Sequence, residues 1–337
     1  MNTTRQSTTG SQAATLWDSI IIGGGAAGLS AGVVLTRAQF ATLVVDGGEP
    51  RNGPAEHMHG YLTQDGMAPK EFVARGRSEL SRYGGTLVQA VVVEARSTSD
   101  GTFELRLDDG SALRTRSLLV ATGLTDELPD ISGLSERWAS TVHHCPHCHG
   151  YEVRGRSIAV IGNPATAMTS AVSVHLAALM RRYSSSVTFC TNGTDVSTAE
   201  RQRLTAYGVS LIDAHVTKVA TPASTAGGNS VGIELDNGKA VACEAIFVAP
   251  RPVPHGAILV TLGAGTDPTS GLVAVDSQGA TDVPGLWAAG NVVSPRAQVI
   301  TAAGAGSTAA INMAGWLLEQ ELSAAIARDG LDDGGVN

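Results

Sequence analysis

Short apolar runs rich in β-branched residues alternate along this chain with glycine turns and alanine-rich segments. The first run, residues 18–22, meets a glycine turn and then a stretch of small residues, and a second run covers Thr42 to Asp46. A β-branched run of this length predicts a buried strand, and the small residues after the turn predict a helix. The chain therefore opens with a strand–turn–helix–strand unit.

The same alternation continues along the chain. Further strands are predicted at residues 118–121, 157–162, 187–190, 245–249 and 286–290. Alanine-rich residues 296–328 predict a long final helix. Pro129 and the proline cluster at 250–254 predict two crossovers between structural units, and residues 222–230 predict the tip of a surface hairpin.

The first glycine turn has the spacing Gly-x-Gly-x-x-Gly, formed by Gly23, Gly25 and Gly28. The first glycine permits a tight turn, the second lets the backbone approach a pyrophosphate, and the third allows close helix–strand packing. Asp46 follows Gly25 by 21 residues, near the spacing for an acid that hydrogen-bonds an adenosine ribose. The N-terminus of the following helix would offer free N–H groups to the phosphates. Together these features predict a bound dinucleotide.

Residues 157–162 open a second strand–turn–helix unit. The sequence therefore predicts an α/β protein with two Rossmann-like nucleotide-binding domains, the second inserted into the first. The predicted boundaries are a disordered leader at 1–14, a discontinuous first domain of 15–127 plus 254–328, and an inserted domain of 128–253.

The inserted domain contains a C-x-x-C, Cys145 and Cys148, within a cluster of histidines. Zinc is one interpretation, but structural zinc usually takes two separated ligand pairs, and Cys190 and Cys243 form no second C-x-x-C. His149 completes a C-x-x-C-H, the attachment pattern of c-type haem, which normally requires export. Two structural cysteines are a further possibility. A redox dithiol beside a flavin is the interpretation that explains why a dinucleotide fold and a C-x-x-C share one chain.

The amino-acid composition limits the classes of protein to which this chain can belong. Of 337 residues, 43% are hydrophobic and 16% charged, which is typical of a folded chain with two or three domains. Lys and Arg number 23 against 31 Asp and Glu, a net charge of −8 that argues against a general nucleic-acid binder. We expect no export signal and no membrane span, and hence a cytoplasmic protein with reduced thiols. Cys190 and Cys243, in apolar runs, are predicted to fill the core.

These motifs together resemble the low-molecular-weight thioredoxin reductase family over residues 17–322. The resemblance rests on the first glycine motif, Ala121-Thr122-Gly123, the C-x-x-C, and the stretch from Gly285 to Asn291 followed by Gln298. It implies a homodimer in which the first and last segments bind FAD and the inserted domain binds NADPH.

The resemblance also implies roles for individual residues. Cys148 would face the flavin, and Cys145 would exchange with the substrate. His149 stands where the family has an acid, and a histidine can move a proton near neutral pH; His144 is the alternative base. Asn291 replaces an aspartate that binds the flavin ribityl chain, and its amide oxygen can still accept that hydroxyl. The FAD-binding residues implied are Gly23, Gly25, Ala26, Ala27, Gly28, Asp46, Gly47, Arg51, Asn52, His59, Ala121, Thr122, Gly123, Gly290, Asn291, Gln298 and Val299.

The nicotinamide site departs from the family pattern. In the second glycine motif, which begins at Gly162, Pro164 replaces the glycine that would admit the pyrophosphate, and it also removes an N–H donor. After the next strand the family places arginines for the 2′-phosphate, whereas this chain has Thr191-Asn192-Gly193. Without charge-assisted partners for that phosphate, we expect tight NADPH binding to be lost.

One branch of the family shares this loss. Residues 48–52, 57–60 and 145–152 resemble the gliotoxin- and holomycin-type dithiol oxidases of natural-product pathways. Those enzymes close a small-molecule dithiol into a disulfide and pass the electrons through FAD to O₂, giving H₂O₂. The resemblance implies this function here. The alternatives are an NAD(P)H-dependent thioredoxin or disulfide reductase and a flavoprotein redox sensor without turnover. His57 and His59 could instead hydrogen-bond their own loop.

Overall fold

The computed structural model describes residues 15–221 and 230–332. The predicted leader at 1–14 and nearly all of the predicted hairpin tip lie outside the described residues. The strands are β1 (Leu16–Ile22), β2 (Thr42–Asp46), β3 (Thr86–Gln89), β4 (Val92–Ser97), β5 (Phe103–Leu107), β6 (Ala112–Val120), β7 (Leu124–Glu127), β8 (Val142–His143), β9 (Ile158–Ile161), β10 (Val187–Cys190), β11 (Val209–Ile212), β12 (Val216–Ala220), β13 (Val231–Leu235), β14 (Ala240–Cys243), β15 (Ala245–Val248), β16 (Arg251–Pro254) and β17 (Leu286–Ala288).

The helices are α1 (Ala26–Arg37), α2 (Pro69–Arg82), α3 (Pro146–His149), α4 (Ala167–Met180), α5 (Thr198–Ala206), α6 (Ala257–Thr261) and α7 (Val299–Asp332). Short 3₁₀ turns lie at Ser135–Arg137 and Gly290–Val292. The final helix starts three residues later than the predicted 296 and continues past the predicted 328. None of the helices in the described part of the chain is long and apolar enough to cross a bilayer.

The first sheet has the strand order β3-β2-β1-β6-β5-β4, and β17 also pairs with β6. Strands β3, β2, β1, β6 and β17 are parallel, whereas β4 and β5 run antiparallel to their neighbours. The β-branched run in β1 fits a strand covered on both faces. Ile20 and Ile22 pack in one apolar cluster, while Ile21 packs in the cluster beneath α1 and α7.

The second sheet is parallel, with the order β11-β10-β9-β15-β8, and a three-stranded antiparallel sheet, β12-β13-β14, lies beside it. The two crossover segments pair with each other as β7 and β16, an antiparallel ribbon between the sheets. The proline cluster thus forms a strand of a two-stranded ribbon, where missing N–H donors are tolerated. The proposed domain boundaries fall at the ends of these two strands and stay a prediction.

Candidate functional site

Four parallel strands of the first sheet end at one edge, where the predicted dinucleotide residues collect. Gly23 follows β1, Gly47 follows β2, Ala121 follows β6 and Gly290 lies just beyond β17. In α/β sheets, ligands bind beyond the carboxyl ends of the strands. The fold therefore brings residues from three distant parts of the sequence to the place where a nucleotide would lie.

The first glycine turn has an open face. A Cβ on Gly23 would lie 2.3 Å from the Ala121 carbonyl oxygen, and one on Gly28 would lie 1.8 Å from the Gly23 carbonyl oxygen. These two glycines are required by backbone packing. A Cβ on Gly25 would meet no atom within 4 Å, and Gly25 is also the N-cap of α1, without a side-chain cap. The first N–H groups of α1, at Ala26 and Ala27, have no intrahelical partner and lie next to this open position, an arrangement typical of pyrophosphate-binding turns.

Asp46 lies at the end of β2 beside this turn. Its Oδ1 accepts hydrogen bonds from the Gly24 and Gly48 N–H groups, both at 3.1 Å, and its Oδ2 accepts one from Arg77 Nη2 at 2.6 Å. The carboxylate thus fixes the glycine turn relative to β2. The sequence does not identify Arg77, which lies on α2, because nothing in its local pattern indicates that it reaches Asp46.

Two other predicted nucleotide residues, Thr122 and Asn291, are held by hydrogen bonds to backbone carbonyls. Thr122 Oγ1 donates to the His255 carbonyl at 2.8 Å, next to Gly123, whose φ of +71° suits glycine. Asn291 Nδ2 contacts the carbonyls of Ser294, Pro295 and Ala297 at 3.0, 3.4 and 3.0 Å. Its Oδ1 takes no hydrogen bond within residues 15–221 and 230–332, so this oxygen is available to a ligand hydroxyl.

Cys145 and Cys148 form a disulfide with a Cα–Cα distance of 5.3 Å. Cys145 is the N-cap of the four-residue α3, and Pro146 takes the first helical position, where a missing N–H is tolerated. Cys190 and Cys243 are free and buried, as predicted for core residues. Burial raises the pKa of Cys190 to about 11 and that of Cys243 to about 12, so both remain unreactive thiols near neutral pH.

A cavity of about 90 Å³ adjoins the disulfide. It gathers eight of the predicted site residues: Arg51, Asn52, His59, His144, Cys148, His149, Gln298 and Val299. Trp138 and His143 also line it and were not predicted, since neither is part of a recognisable motif. The cavity is therefore built from the loop after β2, from the cysteine segment and from the start of α7.

The two candidate bases stack on neighbouring rings. His149 lies 4.5 Å from His143, centroid to centroid, and its Nδ1 is buried without a hydrogen-bond partner in the described part of the chain. Burial lowers the pKa of His149. His144 stacks on Trp138 at 5.3 Å, and burial lowers its pKa to about 4. Both rings are therefore neutral at pH 7, the form with a free lone pair, and burial makes each a weaker base than an exposed histidine.

The loop after β2 is fastened to the rest of the site by the Arg51–Asp126 ion pair and by a contact between His59 and Glu152. Arg51 binds Asp126 through Nε at 2.7 Å and Nη2 at 2.8 Å, while Nη1 donates to the Pro295 carbonyl at 2.9 Å. His59 lies 3.3 Å from the Asp65 carboxylate through Nδ1 and 3.5 Å from that of Glu152 through Nε2.

His57 instead bonds its own loop, with Nδ1 3.1 Å from the Gly66 carbonyl oxygen. From the sequence, hydrogen bonding within their own loop is the alternative role of His57 and His59, and His57 makes such a bond. The contact between His59 and Glu152 extends beyond the loop to the segment that follows the disulfide.

Polar groups of the second glycine turn are already hydrogen-bonded to its own side chains. Asn163, 2% exposed, donates through Nδ2 to the Ala249 carbonyl at 2.8 Å and accepts through Oδ1 from the Ala165 N–H at 3.0 Å. Thr166 caps α4 through a reciprocal capping box with Thr169. The helix start that would receive a pyrophosphate therefore already has a side-chain partner.

The position expected to bind a 2′-phosphate is closed as well. Asn192 is 8% exposed; its Nδ2 donates to the Gly162 carbonyl at 3.0 Å and its Oδ1 accepts from the Val216 N–H at 2.9 Å. Arg201, a nearby arginine on α5, is paired with Asp213 at 2.6 Å. Asn192 thus links three segments of the second unit instead of facing a ligand.

Comparison with known proteins agrees with this architecture. The family model for pyridine nucleotide-disulphide oxidoreductases matches residues 17–307. "Thioredoxin reductase sirT" of Leptosphaeria maculans is 28% identical over 303 residues, covering 87% of this chain and 92% of the relative. The crystal structure of HlmI superposes with a TM-score of 0.87 at 39% identity, covering 94% of this chain and 97% of HlmI.

A thioredoxin reductase from Streptococcus pyogenes shares the fold, with a TM-score of 0.78 at 19% identity over 91% of this chain and 100% of that one. These matches confirm the thioredoxin reductase-like α/β fold and the resemblance that the motifs indicated.

Proposed function

The chain belongs to the pyridine nucleotide-disulphide oxidoreductase family and is a flavin-dependent thiol/disulfide oxidoreductase, and on that premise we propose that it is a dithiol oxidase. In this proposal the Cys145/Cys148 pair oxidises a small-molecule, natural-product dithiol to its intramolecular disulfide. The flavin is FAD, and O₂ takes the two electrons and leaves as H₂O₂, so that one dithiol and one O₂ give one disulfide and one H₂O₂.

The closed second glycine turn is the observation that carries the proposal. A reductase needs that turn to admit NAD(P)H, but Asn163 and Thr166 occupy its hydrogen-bonding groups and Pro164 contributes no N–H. Asn192 is buried where a cation would be needed for the 2′-phosphate. Reducing electrons then have to enter through the disulfide, which adjoins a cavity.

The first glycine turn supports FAD as the flavin. Gly25 leaves space for a pyrophosphate, and the first turn of α1 would donate N–H groups to it. Asp46 would bind the adenosine ribose, Asn291 Oδ1 would accept from the ribityl chain, and the N–H groups at Gln298 and Val299 would lie near the flavin ring. When bound, FAD supplies the acceptor for two electrons from the reduced pair and the reaction of those electrons with O₂.

The thiol chemistry follows from the disulfide and its histidines. A substrate thiolate attacks Cys145 Sγ, a new S–S bond forms, and Cys148 leaves as a thiolate. The second substrate thiol then attacks the substrate sulfur, the cyclic disulfide is released, and Cys145 leaves with its electron pair. His149, with His144 as the alternative, accepts the substrate proton, since both rings are neutral at pH 7.

Anaerobic rapid mixing tests this function. The purified yellow protein is mixed with a generic dithiol, NADPH or NADH while the flavin absorbance is followed. We expect bleaching by the dithiol, none by either nicotinamide, and recovery with H₂O₂ formation when air is admitted. C148S should abolish bleaching by the dithiol. Fast bleaching by NADPH would instead identify a reductase, and bleaching of C148S at the wild-type rate would refute the role of the pair.

The expected homodimer is a separate proposal that follows from the family resemblance. Light scattering on the flavin-loaded protein measures it directly: a mass of twice 34.5 kDa supports it, and a mass of 34.5 kDa contradicts it.

A further inference from the structure

The side-chain amide of Gln298 contacts both sulfurs of the redox pair. Its Nε2 lies 3.5 Å from Cys145 Sγ, and its Oε1 lies 3.3 Å from Cys148 Sγ. In the disulfide neither sulfur carries a proton, so the only hydrogen bond available is the weak one from Nε2 to Cys145. In a reduced pair that keeps one proton, one sulfur is a thiol and the other a thiolate. An amide suits such a pair, because its oxygen accepts from the thiol and its NH₂ group donates to the thiolate.

Gln298 is held in this position from two sides. It directly precedes α7, and the turn before it, Ser294–Ala297, is fixed by three contacts from Asn291 Nδ2 to carbonyl oxygens. Arg51 also donates to the Pro295 carbonyl and is itself paired with Asp126. These contacts hold the backbone from which the Gln298 side chain reaches the sulfurs.

The position of Gln298 also favours negative charge on the pair. The N-terminus of a helix carries a partial positive charge, and Val299, the first residue of the 34-residue α7, lines the same cavity as Cys148. A hydrogen bond to a charged acceptor is stronger than one to a neutral acceptor, so an N–H donor gains strength when a thiol becomes a thiolate.

We infer that Gln298 is a further catalytic residue, whose amide holds the reduced pair in a state with one proton. In that state Nε2 donates to the Cys145 thiolate, and the Cys148 thiol, which carries the proton that His149 took from the substrate, donates to Oε1. The Cys145 thiolate is the leaving group when the second substrate thiol attacks the substrate sulfur: the substrate S–S bond forms, the bond to Cys145 breaks, and Cys145 keeps the electron pair. This role concerns the pair alone and does not depend on which oxidant accepts the electrons.

The test measures the acidity of Cys145 in the flavin-loaded protein carrying C148S. The serine hydroxyl can still donate to Gln298 Oε1, so the orientation of the amide is kept. The rate of alkylation of Cys145 by iodoacetamide is followed against pH, with mass spectrometry to exclude reaction at Cys190 and Cys243. The titratable groups around the pair, namely His59, His143, His144, His149 and the Arg51–Asp126 pair, remain the same in every protein compared.

Replacing the amide should raise the pKa of the Cys145 thiol. In C148S/Q298M, which lacks the donor at nearly the same side-chain length, we expect alkylation at pH 7 to fall about tenfold. C148S/Q298E, with an acceptor at both ends, should fall further. C148S/Q202M, altered at an exposed glutamine on α5, should keep the parent profile.

If Q298M disturbs the fold, seen as loss of bound flavin, C148S/Q298N serves instead. It retains an amide but withdraws it from the sulfurs by one methylene, and its profile should shift in the same direction. The inference is overturned if the pH profile of Cys145 alkylation in C148S/Q298M equals that of C148S. The same holds for C148S/Q298N where that variant is used instead. Because the readout is alkylation, this outcome is separate from bleaching by NADPH, which would refute only the oxidase proposal.

Discussion

The two strand–turn–helix units have the same topology but differ at their glycine turns. The first turn is open, and the second is capped by its own side chains. In the first unit Gly25 is open to a ligand and α1 begins without a side-chain cap. In the second unit Pro164 takes the corresponding position and Thr166 caps α4. The same strand–turn–helix–strand order therefore produces one turn that is open and one turn that is capped by its own side chains.

The difference lies in the hydrogen-bonding groups at the turn and in where the helix begins: α1 starts three residues after Gly23, whereas α4 starts five residues after Gly162. The helix N-terminus has unsatisfied N–H groups, which either a ligand phosphate or a protein side chain can satisfy. In the second unit Thr166 Oγ1 accepts from the Thr169 N–H and Asn163 Oδ1 accepts from the Ala165 N–H, while Asn192 Nδ2 donates to the Gly162 carbonyl. A fold of this architecture can thus satisfy such N–H groups from within the protein.

The largest expected effect comes from closing the open turn. G25V places a branched side chain where the pyrophosphate would lie, while a Cβ at this position meets no protein atom within 4 Å. We expect the protein to fold but to be purified without flavin, which absorbance at 450 nm and circular dichroism would show together.

A matched change in the second turn is the control for this loss. Ala165 is exposed in the closed turn, so A165V should leave the flavin content unchanged. Equal flavin loss in both variants would mean that the two turns do not differ in function, and full flavin content in G25V would contradict its assignment to the cofactor.

The next effect concerns the buried amide that closes the second unit. N192A removes the hydrogen bonds to Gly162 and Val216 and places alanine at a φ of +49°. We expect the free energy of unfolding to fall by about 3 kcal/mol, measured by urea denaturation. N237A, in an exposed turn, should cost about 0.5 kcal/mol. A loss in N192A no larger than that in N237A would show that Asn192 does not hold the second unit together.

Acid should weaken the second unit through a buried histidine. Burial lowers the pKa of His143, on β8, from 6.5 to about 3. Between those values the unfolded chain binds a proton that the folded chain does not, so stability falls as the pH is lowered. From pH 7 to pH 5 this histidine should cost about 2 kcal/mol of unfolding free energy.

Urea denaturation at both pH values checks this prediction. H143F should lose about 2 kcal/mol less than the wild type on going from pH 7 to pH 5. H175Q, which alters an exposed histidine on α4, should follow the wild type. Identical pH dependence in all three proteins would show that His143 is not the acid-sensitive group.

The smallest effect is expected from the cap of α4. T166A removes the hydroxyl that accepts from the Thr169 N–H at 3.1 Å, and it should cost about 1 kcal/mol of unfolding free energy. S197A removes the equivalent cap of α5 and should cost a similar amount. T166A should still show no bleaching by NADPH, because Pro164 and Asn192 remain; a gain of NADPH reactivity would show that the cap alone closes the turn.

Much of the fold was accessible from short patterns. The β-branched run of β1, the glycine spacing and the strand Thr42–Asp46 each depend on local chemistry, and β2 has the predicted bounds. Gly23, Ala121 and Gly290 lie at or beside the ends of predicted strands, and the structure brings them to one carboxyl edge because those strands are parallel. Arg77 could not be found in this way, because it contacts Asp46 across 31 residues of chain. Trp138 could not be found because no motif marks its stacking on His144, six residues further on.

The sequence by itself determined which groups this protein has for chemistry: a C-x-x-C, neighbouring histidines, one complete glycine motif and a second interrupted by Pro164. Backbone sterics and side-chain type fix these properties locally. Only the tertiary structure decided that Gln298 reaches both sulfurs, that Asn192 turns inward, and that burial keeps His144 neutral. Those outcomes depend on desolvation and on contacts between segments as far apart as 153 residues, for which a linear pattern carries no signal.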